Sequence, residues 1–126
     1  MRRFLLVAAA LCLAACSDNN NTAPTSNLTG TYQLRTIDGE QLPFTFSDGS
    51  TLVNEQLTLS VDGSYNDVGQ FTDGSIFDEQ GFWSSNNGTI FFTPTTGGGQ
   101  YEGSVSGSVL TEIFQGGPTE VYQKTS

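Results

Sequence analysis

The sequence predicts an all-β protein, a small antiparallel up-and-down β-barrel of about eight strands, preceded by a cleaved export signal and a flexible tether. Three observations carry this reading. Turn residues recur at intervals of 10 to 19 positions, as Asp-Gly at 38–39, 48–49, 62–63 and 73–74, Asn87-Gly88, Gly97-Gly98-Gly99 and Gly116-Gly117, with Gly103 and Gly107 as a further turn in the last interval. Asp-Gly and Asn-Gly supply the positive φ of tight two-residue hairpins, so the spacing is that of a meander. Between turns, short runs of β-forming residues alternate apolar with polar, and strong helical signals are missing from residues 28–126.

The elements follow in order. Residues 1–15 read as an export signal: Arg2-Arg3, an apolar run from Phe4 to Ala15, then small residues before Cys16. The run is shorter than the ~20 residues a membrane-spanning helix needs. Leu13-Ala14-Ala15-Cys16 resembles the lipobox of bacterial lipoproteins, in which the cysteine thiol receives diacylglycerol and the chain is cut just before it. The resemblance implies that Cys16 is the lipidated first residue of the mature protein. Ser17, where many such proteins carry a retention aspartate, implies outer-membrane sorting, with the domain facing the periplasm. Residues 16–27 form the lipidated cysteine and a polar tether, with no apolar residue beyond Ala23 after the cysteine. As a flexible coil, this segment would hold the domain ~18 Å from the lipid on average.

Strands are then expected over Thr31–Ile37, Gln41–Phe46, Thr51–Val61, Ser64–Phe71, Gln80–Ser84, Thr89–Thr93, Gln100–Ser106, Ser108–Phe114 and Glu120–Lys124. Tyr32 with Leu34, Leu42 with Phe44 and Phe46, Leu57 with Leu59 and Val61, Ile90 with Phe92, Tyr101 with Val105, and Leu110 with Phe114 are spaced by even steps. Each set therefore shares one side of a pleated strand. Strands with one apolar face must close into a barrel or pair as two sheets, because an open sheet would expose that face and two edges. Closure into a barrel is the expectation, and a two-sheet sandwich is the alternative.

The same stretch resembles a family. Gly30-Thr31-Tyr32-Gln33-Leu34, Leu57-Thr58-Leu59-Ser60-Val61-Asp62-Gly63-Ser64-Tyr65, Gly81-Phe82-Trp83, Gly107-Ser108-Val109-Leu110 and Tyr122-Gln123-Lys124 look like the lipocalin-like domains of bacterial lipoproteins. Tyr32 stands where that pattern has its first tryptophan, Trp83 keeps the second, and no arginine near the C-terminus stands ready to cap the ring. The resemblance implies a lipocalin-like barrel over residues 28–126.

Charge and composition bound the function. Without the signal the chain keeps Arg35 and Lys124 against thirteen acids, a net charge of −11, which excludes nucleic acid as a partner. There is no histidine, and Cys12 leaves with the signal while Cys16 carries lipid. His-based triads, the usual zinc ligand, disulfides and a thiol nucleophile are therefore excluded, and a non-enzymatic protein without cofactor or metal is expected. Asp78-Glu79 cannot form a facing catalytic pair if the segment is extended, since neighbours point to opposite faces. With Asp67 and Asp73 nearby, they read as solvated acids. Asp62-Gly63-Ser64 and Asp73-Gly74-Ser75 read as turns rather than calcium loops. Gly97-Gly98-Gly99 reads as a hairpin tip whose mobility could gate a barrel mouth.

Aromatic residues are the remaining feature with a function in view, because an eight-stranded barrel is just wide enough to be filled by side chains or to hold one small ligand. If the interior is open, Tyr32, Trp83, Phe92 and Tyr101 are the ligand-binding candidates. Two functions follow: a membrane-anchored envelope lipoprotein binding a small apolar or amphipathic ligand, or a filled barrel serving a structural or protein-interaction role.

Overall fold

The computed structural model describes residues 27–126, which contain ten strands and no helix. The export signal, Cys16 and the tether up to residue 26 lie outside the described residues. The strands are β1 (Gly30–Ile37), β2 (Glu40–Gln41), β3 (Phe44–Thr45), β4 (Thr51–Leu59), β5 (Ser64–Phe71), β6 (Ile76–Asn86), β7 (Thr89–Pro94), β8 (Tyr101–Ser106), β9 (Val109–Ile113) and β10 (Thr119–Lys124). From β4 to β10 each strand pairs antiparallel with the next, and β1 pairs with both β10 and β4. Eight strands thus close on themselves. That closure decides between barrel and sandwich, since every long strand finds two neighbours and no long edge is left unpaired.

The turns explain the register. Asp38-Gly39 and Asn87-Gly88 hold both residues at positive φ, as two-residue hairpins require. The other three Asp-Gly sites are three-residue loops. In each, the glycine N–H donates to the carbonyl three positions back, at Phe46, Ser60 and Phe71, and the glycine alone has positive φ. Asp48, Asp62 and Asp73 accept both the backbone N–H and the hydroxyl of the serine two residues on, at 2.6 to 3.0 Å. These bonds hold all three carboxyls below the usual aspartate range.

Several expectations need correction. Gln41–Phe46 is not one strand: Pro43 has no N–H to give a ladder, and the segment survives only as β2 and β3. Val61 belongs to a loop and is exposed, so the inward run of β4 stops at Leu59. Gly103 lies within β8, where a Cβ would meet Thr111 O at 3.0 Å and the Phe92 ring at 3.4 Å; it makes room in the wall rather than a turn.

Two bulges shape one end. The β1–β10 register shifts between Leu34 and Thr36, and the β4–β5 register between Leu52 and Asn54. Beyond Gln33 and Gln56 the β1–β4 pairing stops; β1 instead pairs with β2, and β4 with β3. The intervening segment carries Leu42, Phe44 and Phe46, half-buried against the core beside this opening. At the opposite end, Tyr32, Leu57, Leu59, Trp83, Ile90 and Leu110 fill the interior completely. Fully burying an aliphatic side chain contributes ~1.5–3 kcal/mol, so each aliphatic residue of this solid half adds to the cohesion. The two ends of the described chain are joined there too: Thr125 N–H donates to Thr31 O at 2.8 Å and Lys124 Nζ to Asn27 O at 2.9 Å.

Candidate functional site

The half of the barrel towards the 38–50 segment is of a different kind. Five acids project inward from five strands: Glu55 on β4, Asp67 on β5, Glu79 on β6, Glu112 on β9 and Glu120 on β10. Each stands an even number of residues from a buried core neighbour on its own strand, namely Leu57, Tyr65, Trp83, Leu110 and Tyr122. The pleat therefore turns them inward. Two pairs are direct cross-strand partners, Asp67 with Glu79 and Glu112 with Glu120. Like charges so placed oppose one another.

Glu112 is 0% exposed and neither carboxyl oxygen has a hydrogen-bond partner; Asp67 is 4% exposed and its Oδ1 has none. Burial first, then the charge of neighbouring acids, pushes both carboxyls well above the usual range. Glu120 is pushed up to about 7 by the same causes, Glu55 being its strongest charged neighbour. The Tyr122 hydroxyl lies 2.6 Å from Glu55 Oε2 and 2.9 Å from Glu120 Oε1. A phenol has one hydrogen, so it donates to one carboxylate, and the other must bring its own proton to the shared oxygen. Glu79 is better served, since the hydroxyls of Tyr65 and Tyr101 both reach its Oε1 at 3.1 Å. Burial raises the pKa of all three phenols, which keeps them neutral donors.

Above these groups is a cavity of about 200 Å³, lined by Glu55, Asp67, Glu79 and Glu120 and rimmed by Phe46, Phe71, Phe77, Tyr101 and Phe114. Phe77, Glu79, Tyr101 and Phe114 also line an adjoining groove of about 300 Å³ beneath Gly97-Gly98-Gly99. Tyr101 stacks on Phe92 at a centroid distance of 4.9 Å and packs tilted against Phe114 at 5.0 Å. No three His, Cys, Asp or Glu among the described residues are grouped to hold a metal ion.

Of the four ring residues singled out above, Tyr101 lines this cavity. Tyr32, Trp83 and Phe92 lie in the filled interior, with Tyr32 donating to Leu28 O at 2.7 Å and the Trp83 indole N–H to Ser60 O at 3.0 Å. Sequence reasoning missed the carboxylates. Asp73 and Asp78 are exposed as expected, but Asp67 is buried and Glu79 turns inward. The signal was present in the phase of the alternation, which places each acid on the same face as its apolar neighbours.

A closed eight-stranded barrel with one filled and one open half defines a lipocalin-like fold. The solved structure of a lipocalin-like protein from Bacteroides uniformis superposes with a TM-score of 0.54 at 18% sequence identity, covering 79% of this chain and 100% of the other. No protein-family model and no curated protein matches the sequence.

Proposed function

We propose that this chain is a lipid-anchored, non-catalytic lipoprotein of the bacterial envelope whose lipocalin-like barrel binds a small amphipathic ligand at its open end. The ring-rimmed cavity over Glu55, Asp67 and Glu120 carries the reading. A recess bordered by apolar rings with a few polar groups at its floor is the usual form of a small-molecule site. Its volume, below the common ~300 Å³, restricts the ligand to a small one unless the groove beneath Gly97-Gly98-Gly99 is also used. Anchorage rests on Cys16 and the lipobox resemblance, which also favours the outer membrane, facing the periplasm.

Native mass spectrometry of the protein purified from its host membranes tests both parts at once. Diacylglycerol and acyl mass on Cys16 together with a retained small molecule is the expected result. An unmodified Cys16 removes the anchor, and Cys16→Ala should release the chain from the membrane fraction, because two or more acyl chains are needed for stable attachment. A second reading, a filled barrel that meets a protein partner, is favoured by the solid half of the interior and by Phe82, Ile113 and Val61 exposed on the outside. Absence of any retained or exchangeable ligand would leave that reading standing.

A further inference from the structure

We infer that the cavity at the open end takes a small amphipathic amine, its ammonium group held among Glu55, Asp67 and Glu120 and its apolar portion against the surrounding phenylalanine rings. The inference rests on the reading of this end as a ligand site and names the ligand's chemistry. Its starting point is a charge imbalance. Five acids face the interior, and the only cationic side chains among the described residues are Arg35 and Lys124. Arg35 is exposed on the outer wall, and Lys124 is bonded to Asn27 O at the filled end. Neither serves the cluster, so its counter-charge comes from protons or from a bound cation.

Hydrogen-bond supply falls short in the same place. The three tyrosine hydroxyls bring one hydrogen each. Those of Tyr65 and Tyr101 are drawn to Glu79, and that of Tyr122 is divided between Glu55 and Glu120. Asp67, which lines the cavity, meets only another carboxyl, Glu55, and keeps an unpartnered Oδ1; Glu112 has two unpartnered oxygens but lies outside the cavity lining. A buried acceptor without a donor costs ~1–3 kcal/mol, and more when charged. An ammonium group brings three donors and a positive charge, whereas an anionic ligand would add to the repulsion.

The rest of the cavity decides against a bare ion. No grouping of side chains among the described residues suits a metal, and the rim consists of rings, whose faces attract organic cations and whose area attracts an apolar tail. At ~30 Å³ per water, 200 Å³ holds about seven waters, which suits a ligand of roughly ten non-hydrogen atoms.

Phenethylamine, 2-phenylethanol and 3-phenylpropionate share this size and ring but carry positive, zero and negative charge. Calorimetric titration of each into the full chain in phosphatidylcholine nanodiscs, in cacodylate buffer, tests the inference. Phenethylamine should bind saturably, about tenfold or more tighter than 2-phenylethanol, with no binding of 3-phenylpropionate. Asp67→Asn and, separately, Glu120→Gln, both at the cavity lining, should each weaken phenethylamine by about tenfold while leaving 2-phenylethanol unchanged. The melting temperatures of these variants should equal or exceed that of the parent, which shows that they fold. Equal affinity for amine and alcohol would overturn the cationic ligand and keep the ligand site. Calcium that competes with phenethylamine and binds more tightly would overturn it in favour of a metal. Failure of all three compounds and of a fatty acid would overturn both the inference and the ligand-binding reading.

Discussion

Raising the pH should destabilise this barrel between about pH 5 and about pH 8, and Glu120→Gln should make the loss shallower. Glu120 has a carboxyl at about 7 in the folded chain against an ordinary 4.5. It faces Glu112 across the β9–β10 pair and shares the Tyr122 hydroxyl with Glu55, while Glu79 and Asp38 add to the local negative charge. The folded state therefore binds the proton more tightly than the unfolded chain. Its stabilising contribution is fully present below about pH 4.5 and is lost as the pH rises through about 7. At 1.36 kcal/mol per unit, the difference amounts to about 3 kcal/mol in all, a large share of the ~5–15 kcal/mol of a typical domain. Asp67 and Glu112 act in the same direction, and Tyr122 joins them only at high pH. Asp48, Asp62 and Asp73 oppose the trend only in acid, where protonation would release their serine bonds. Urea midpoints followed by Trp83 emission at pH 5, 6, 7 and 8, in amine-free buffer, measure the slope. A midpoint that stays level or rises over this range, or a Glu120→Gln slope equal to that of the parent, would refute the reasoning.

Three further outcomes are expected. Trp83 is 3% exposed with its N–H bonded to Ser60 O, so its emission should be blue-shifted and move red on unfolding in a single step; Trp83→Ala should cost ~3–5 kcal/mol in denaturant titration. Gly63 has φ 91° at the end of its loop, and Gly63→Val should lower stability by ~1–2 kcal/mol or more, read as a drop in melting temperature. Gly81 faces Thr93 O across β6–β7 and carries the Tyr65 ring, whose Cε1 would lie 2.7 Å from an added Cβ; Gly81→Ala should destabilise by ~1–3 kcal/mol, whereas the same change at Gly99, with open space around it, should leave the midpoint unmoved.

The strands were legible because their turns are chemically explicit. Asp38-Gly39 and Asn87-Gly88 fix two hairpins through positive φ, and the three Asp-Gly-Ser loops fix three more reversals. Closure was less so, since the β1–β4 pairing joins strands separated by the 38–50 segment, and no local pattern at Gly30–Gln33 names Gln56–Leu59 as its partner. The bulges at Arg35 and Val53 were equally hidden, because a one-residue irregularity leaves no composition signal. At the site, the general tendency of acids to stay in solvent competed with the period of two. For Glu55, Glu112 and Glu120 the period won, because Leu57, Leu110 and Tyr122 hold their strands in place and leave the acids no outward path.

The clasp between the two ends of the described chain gives the barrel a polarity. Asn27, the first described residue, is clasped by Lys124 beside the filled base, while the carboxylates open at the opposite pole. On the anchorage proposed above, an attachment leading from the base would turn the open pole towards the aqueous compartment. A guest would then arrive by diffusion through water rather than by sliding out of the bilayer.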